Sequence, residues 1–163
     1  MPTSYALALG SNRRGRHGSP AAELRAAIAG IARLGRVRAV APVFDTAPLG
    51  PSSRRFANSA VLLETPLDPP ALLAALKAIE RGFGRRRGQR WGARVIDLDI
   101  ILWSGGRVRL PKLVIPHPAF RARRFVLDPL AQIAPLWRDP QSGHTIRQLA
   151  ARARMVDRRA KRP

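Results

Sequence analysis

The stretch Ile96-Asp97-Leu98-Asp99-Ile100-Ile101-Leu102 gives the clearest strand in the chain, because its apolar and polar residues alternate with period two from Ile96 to Ile100, as in a strand and not a helix. A strand over 96–103 puts Ile96, Leu98, Ile100 and Leu102 on one face and both aspartates on the other. The two carboxylates then stand roughly 6.5 to 7 Å apart, pointing the same way. Like charges side by side repel, and a hard cation such as Mg²⁺ held between them is the usual reason a strand this apolar tolerates the pair. An isolated D-x-D is more often the polar face of a half-covered sheet. Here the context reverses that balance. Arg85, Arg86, Arg87, Arg90 and Arg94 lie immediately upstream, and guanidinium forks match phosphate geometry. Several of these arginines serve only as a solvated charged loop. Metal ligands beside phosphate ligands still indicate a nucleoside triphosphate.

A strand of this kind needs neighbours, and the rest of the chain supplies them. Residues 5–10 read as a buried strand, broken by Gly10-Ser11-Asn12 into a loop rich in Arg and Gly. Ser19 caps a helix with Pro20 at its first position and Leu24, Ala27, Ile28, Ile31 and Leu34 on one face, and Gly35 ends it. A second strand is expected over 37–44, a proline-bearing loop over 46–51 and a third strand over 56–64. Asp68-Pro69-Pro70 opens a second helix with the stripe Leu72, Leu73, Leu76 and Ile79, ending near Phe83. After the 96–103 strand come a turn at 104–106 and a short strand at 108–110. Two further helices are expected over 125–133 and 146–153, the last opened by the capping box Thr145-x-x-Gln148. This order of elements predicts an α+β fold, a ferredoxin-like split βαβ sheet with helices packed on one face. A single domain over 1–153 is expected, followed by a basic tail, 154–163, that frays beyond about Val156.

The chain has 163 residues, no cysteine and a formal charge of +20 that comes almost wholly from arginine. Without thiols, disulfides and thiolate metal sites are excluded. No apolar run approaches the length of a membrane span and no leader pattern precedes residue 10, so a cytoplasmic protein is expected. The charge is compatible with non-specific polyanion binding or with concentrating an anionic substrate. His117, set between Pro116 and Pro118, can present its ring from a rigid loop; with Arg121, Arg123 and Arg124 it could form a second anion-binding edge.

Taken together, Gly10-Ser11-Asn12, Thr46-x-Pro48-Leu49-Gly50-Pro51, Phe56-x-Asn58, Ile79-Glu80, Gly84-Arg85-x-Arg87, Arg90-Trp91-Gly92-x-Arg94-x-x-Asp97-x-Asp99 and Pro116-His117-Pro118 closely resemble the 6-hydroxymethyl-7,8-dihydropterin pyrophosphokinases of folate synthesis. The resemblance runs on through Arg123-x-Phe125-Val126-Leu127-x-Pro129-Leu130 and spans about 5–149. It implies transfer of the terminal diphosphate of ATP to the pterin hydroxymethyl oxygen, with AMP released. On that resemblance Asp97 and Asp99 hold two magnesium ions, and Arg85 and Arg94 join them as catalytic residues. Glu80, Arg85, Arg87, Trp91, Arg94, Ile100, Lys112, His117 and Arg123 match the positions that bind ATP. Phe56 and Phe125 would sandwich the pterin, Asn58 would bond its polar edge, and Thr46, Ala47, Pro48 and Leu49 would add loop contacts. The sequence departs from the family pattern at Phe56, Ala47, Ala93 and Lys112, where tyrosine, proline, proline and arginine are common. None of these changes removes a metal ligand.

Two other readings compete. One is a basic nucleic-acid-binding domain, but no strand carries the paired aromatic residues of that module, and Asp97 and Asp99 would repel a phosphate backbone in the absence of metal. The other is a catalytically silent homologue, which the intact Asp97, Asp99, Arg94 and His117 disfavour. A monomer that binds ATP and a small pterin, with no specific nucleic-acid partner, is expected.

Overall fold

In the computed structural model, residues 1–46, 56–84 and 95–163 are described, Asp45 and Thr46 by their backbone alone. The described elements are β1 (Thr3–Ser11), α1 (Pro20–Ile31), β2 (Arg36–Val40), β3 (Phe44–Thr46), β4 (Phe56–Thr65), α2 (Pro69–Gly82), β5 (Asp97–Trp103), β6 (Val108–Leu110), β7 (Leu113–Ile115), α3 (Arg124–Ile133) and α4 (Ile146–Ala160). A 3-10 turn, Phe120–Ala122, precedes α3. Every strand pairing is antiparallel: β1 lies between β4 and β5, and β2 and β3 both pair with β4. The main sheet therefore runs β2-β4-β1-β5, with the aspartate-bearing strand at its edge.

β1 explains the layering, because neither of its faces is polar. Tyr5, Leu7 and Leu9 point to one side, where with Leu63, Leu98 and Ile100 they meet Leu24, Ala27 and Ile31 of α1 and Leu72 and Leu76 of α2. Ala6 and Ala8 point to the other, where with Ala60 they meet Val126, Leu127 and Leu130 of α3 and Ile146, Leu149 and Ala150 of α4. A strand apolar on both faces must be covered on both. The expected helices on one face are therefore corrected to helices on both, and the second cover is what builds a cleft over the aspartates.

The caps form as their residues dictate. Ser19 Oγ accepts from the Ala22 amide and a Pro follows it; the Asp68 side chain accepts from Ala71, again with Pro next; Thr145 and Gln148 close a capping box. The strand expected over 37–44 is split into β2 and β3 around Ala41 and Pro42, and Pro42 has no amide for a ladder. Leu102 does not share a face with Leu98 and Ile100 as alternation predicted. The pairing jumps from Leu7↔Ile100 to Ala6↔Leu102, so Ile101 is bulged out and Leu102 falls on the α3 side.

The final helix also departs from expectation. It runs on to Ala160 instead of ending near Ala153 and fraying after Val156. Arg154 pairs with Asp128 at 3.2 Å, and Asp157 pairs with Arg124 at 3.0 Å, tying the extension to α3. A basic tail with little apolar content was expected to fray, whereas these two ion pairs with α3 hold it in the helix. β7, which sequence periodicity is too short to reveal, pairs with β6 as a hairpin.

Candidate active site

The cleft lies on the α3 side of the sheet and begins with small residues. Gly10 of β1 stands opposite Asn58 of β4 and opposite Asp97 of β5, so Asn58, Gly10 and Asp97 form one row across three strands. Ala8 and Asp99 form the next row, with Ala60 beyond. A Cβ on Gly10 would come within 3.3 Å of Asn58 Oδ1, tight enough to push the amide away. The floor is low because its central residues are Ala and Gly. Above it opens a cleft of about 490 Å³ whose walls include Asn12, Phe56, Asp97, Asp99, Arg123 and Phe125. Asp97 is exposed and Asp99 half-buried, both facing this space.

The opposite wall comes from Arg123, Phe125 and Val126, where the chain enters α3, and the loop before it is tied to the sheet. The His117 amide donates to the carbonyl of the bulged Ile101 at 3.0 Å, fastening the loop to β5. His117 Nδ1 accepts from the Ala119 amide at 3.2 Å, which places the ring proton on Nε2 in the neutral form. Burial pushes the His117 pKa down; Asp99 opposes that and Arg123 adds to it. The ring, with its proton on Nε2, therefore lies near enough to Asp99 and Arg123 to feel their charges, although His117 is not among the described residues that line the cleft. The Arg123 guanidinium lies 5.7 Å from the centre of the Phe125 ring, which is 47% exposed at the cleft mouth.

Of the three arginines expected along this edge, two are engaged elsewhere. Arg121 donates to both oxygens of the fully buried Asp139, at 2.6 and 2.8 Å. Arg124 bridges Asp128 and Asp157. Arg123, of these three, lines the cleft.

Glu80 is buried, and its Oε2 accepts from the Leu98 amide on the outer edge of β5 at 3.0 Å, with Lys77 3.0 Å from its other oxygen. It therefore fixes the strand between the two aspartates. Ile100 is packed in the core beneath α1 and α2, so its side chain turns away from the cleft. Lys112 is exposed at the tip of the β6–β7 hairpin and is absent from the cleft walls described here. Ala47, Pro48, Leu49, Arg85, Arg87, Trp91 and Arg94, and the side chain of Thr46, lie outside the described residues.

Sequence reasoning did not place Ala8, Ser11, Asn12 or Val126 at the site, and the structure puts them on its walls. For Ala8 the available signal was that the even positions of β1 carry only small residues, whose meaning depends on β1 neighbouring β5; Ser11, Asn12 and Val126 stood in the quoted motifs without an assigned role. Among the described residues no group of three or more His, Cys, Asp or Glu side chains could hold a metal ion unaided. Two carboxylates open to a cleft do fit Mg²⁺, which fills its remaining positions with water and phosphate oxygens.

Known proteins resemble this chain in sequence and in fold. The family model described as 7,8-dihydro-6-hydroxymethylpterin-pyrophosphokinase (HPPK) matches residues 6–135. The 2-amino-4-hydroxy-6-hydroxymethyldihydropteridine pyrophosphokinase of Pseudomonas aeruginosa is 44% identical over 148 residues, covering 89% of each chain. The enzyme of that name from Methylorubrum extorquens is 43% identical, covering 83% of this chain and 84% of the relative. The structure of Plasmodium falciparum HPPK-DHPS with pteroate superposes with a TM-score of 0.75 at 16% identity, covering 98% of this chain and 44% of that one. With its cleft aspartates, aromatic wall and family match together, this chain belongs to the 7,8-dihydro-6-hydroxymethylpterin-pyrophosphokinase family.

Proposed function

We propose that this chain transfers the terminal diphosphate of ATP to the hydroxymethyl oxygen of 6-hydroxymethyl-7,8-dihydropterin, giving AMP and the pterin diphosphate, a step of folate biosynthesis. The observation that carries this reading is one cleft with two functions: Asp97 and Asp99 face the space that Phe56, Asn58 and Phe125 also line. A flat heterocycle stacks on the two phenylalanines and directs its polar edge to the Asn58 amide. The Arg123 guanidinium lines the cleft, and it and the His117 Nε2–H would donate to phosphate oxygens. Asp97 and Asp99 would hold two magnesium ions, which when bound supply charge neutralisation between the phosphates. Glu80 keeps β5, and with it both carboxylates, in register with the cleft. On the family resemblance Arg85 and Arg94 would add phosphate contacts, Arg87, Trp91 and Lys112 nucleotide contacts, and 46–49 pterin contacts.

The strand order β2-β4-β1-β5, joined as β-α-β-β-α-β if β3 is taken as a continuation of β2, supports a ferredoxin-like split βαβ plan. No described helix is long and apolar enough to cross a membrane. A cytoplasmic monomer is the simplest form of such an enzyme. ATP labelled at both the β and γ phosphorus tests the reaction: both labels should appear on the pterin. A pterin product carrying the γ label alone would refute diphosphate transfer.

A further inference from the structure

The loop between β1 and α1 closes on a carboxylate for which the reaction has no use. Glu23, in the first turn of α1, is fully buried. Its Oε1 accepts from the His17 amide at 2.8 Å, and its Oε2 lies 2.8 Å from His17 Nδ1. A buried carboxylate is costly unless its lone pairs are met, so the loop is drawn in over it. Gly15 and Gly18 exchange two backbone hydrogen bonds of 3.1 Å to shape the return. Gly15 leaves no spare room: a Cβ there would sit 2.5 Å from Glu23 Oε1 and 2.9 Å from Val95 Cγ1.

This loop touches both borders of the arginine-dense segment. Arg16 Nη2 donates to the Gly82 carbonyl at 2.7 Å, and the His17 ring packs on Phe83 with centroids 5.1 Å apart, both at the end of α2. Gly15 abuts Val95, two residues before Asp97. The intervening sequence contains Arg85, Arg87, Trp91 and Arg94. At its other end the loop starts from Ser11 and Asn12, which line the cleft.

We infer that His17 and Glu23 form a positioning latch for nucleotide binding, joining the β1–α1 loop to the residues that enter and leave the 84–95 segment; this rests on the ATP-binding reading above. Neither side chain is among the described cleft-lining residues, and each is spent on the other, so the role assigned to them is positioning. Removing the latch lets both borders of the segment shift relative to Asp97, which weakens ATP binding and leaves the pterin contacts of Phe56, Asn58 and Phe125 in place.

The test is calorimetric titration of the full chain with MgATP and, separately, with the pterin. His17→Ala should weaken MgATP binding about tenfold, change pterin binding by less than about twofold, and lower the melting temperature by no more than about 4 °C. His17→Asn, whose amide nitrogen reaches the same carboxylate oxygen, should restore most of the ATP affinity. Gly15→Ala should mimic His17→Ala by displacing Glu23 without removing a polar group. Unchanged ATP affinity in His17→Ala and Gly15→Ala, an equal loss for both ligands, or no recovery in His17→Asn would overturn the latch. Because binding is read without turnover, a wild-type chain that binds MgATP but transfers nothing would count against the proposed reaction alone.

Discussion

The two faces of the central sheet carry opposite kinds of residue on the same strands. Toward α1 and α2, β1 presents Tyr5, Leu7 and Leu9 and β5 presents Leu98 and Ile100, all buried. Toward α3 the same strands present Ala6, Ala8 and Gly10, and Asp97 and Asp99. Large side chains interdigitate with a helix pair and close the first face; small and acidic ones cannot, so the second stays open where α3 begins. Alternation along a strand therefore separates stability from chemistry by a single residue step. Substitutions on the two faces should fail in different ways, and that difference can be broken or sharpened experimentally.

The largest effect is expected on the open face. Asp97→Ala and Asp99→Ala should each lower kcat about a thousandfold while the melting temperature moves little, because the carboxylates face solvent space and not the core. Either variant keeping more than about half of wild-type turnover would remove the metal assignment. On the closed face, Leu76→Ala should cost about 2 to 5 kcal/mol of unfolding free energy by chemical denaturation, with turnover per folded molecule unchanged. A normal stability with impaired turnover there would mean that the faces are not separable.

An intermediate effect belongs to the clamp beneath the cleft wall. Burial alone would raise the Asp139 pKa, but hydrogen bonds from Arg121, Ser142 and the Gln141 amide outweigh it and hold the carboxyl well below the usual range. Such a group adds stability above its unfolded pKa, near ~3.9, and loses it as pH falls through the lower folded value. Asp139→Asn should therefore be less stable than wild type at pH 6, and the gap should narrow below about pH 4. A gap independent of pH would show that the ionised form is not what the clamp uses.

The smallest effect is expected at the α4 extension. Met155 and Val156 are exposed, and what ties residues 154–160 to α3 is a pair of partly exposed ion pairs. Ending the chain after Ala153 should cost less than about 1 kcal/mol, leave turnover intact and reduce salt-sensitive polyanion binding. A truncated chain that folds but no longer transfers diphosphate would give the extension a role in the cleft.

Much of this contrast was legible before the fold was known. The period-two pattern of 96–102 put both aspartates on one side, and the caps Ser19, Asp68 and Thr145 marked three helix starts. What escaped notice depended on contacts distant in sequence. The Ile101 bulge answers to Ala6 and Leu7 on a strand some 95 residues earlier. Arg121 and Arg124 read as phosphate ligands because Asp139 and Asp157, which claim them, are separated from them by 18 and 33 residues. Ala8 looked like an ordinary strand residue and Gly10 like a strand breaker until β5 was placed beside them. Glu23 read as an unremarked helix residue, since nothing local reveals that His17 folds back over it.

The central claim is that the open face joins a diphosphate donor to a pterin acceptor at Asp97 and Asp99. Quantifying adenine nucleotides after incubation with MgATP, with and without 6-hydroxymethyl-7,8-dihydropterin, tests it most directly. The account predicts AMP in an amount equal to the pterin diphosphate formed, dependent on the pterin and nearly abolished in Asp97→Ala and Asp99→Ala. ADP as the product, or AMP released equally without the pterin, would contradict it.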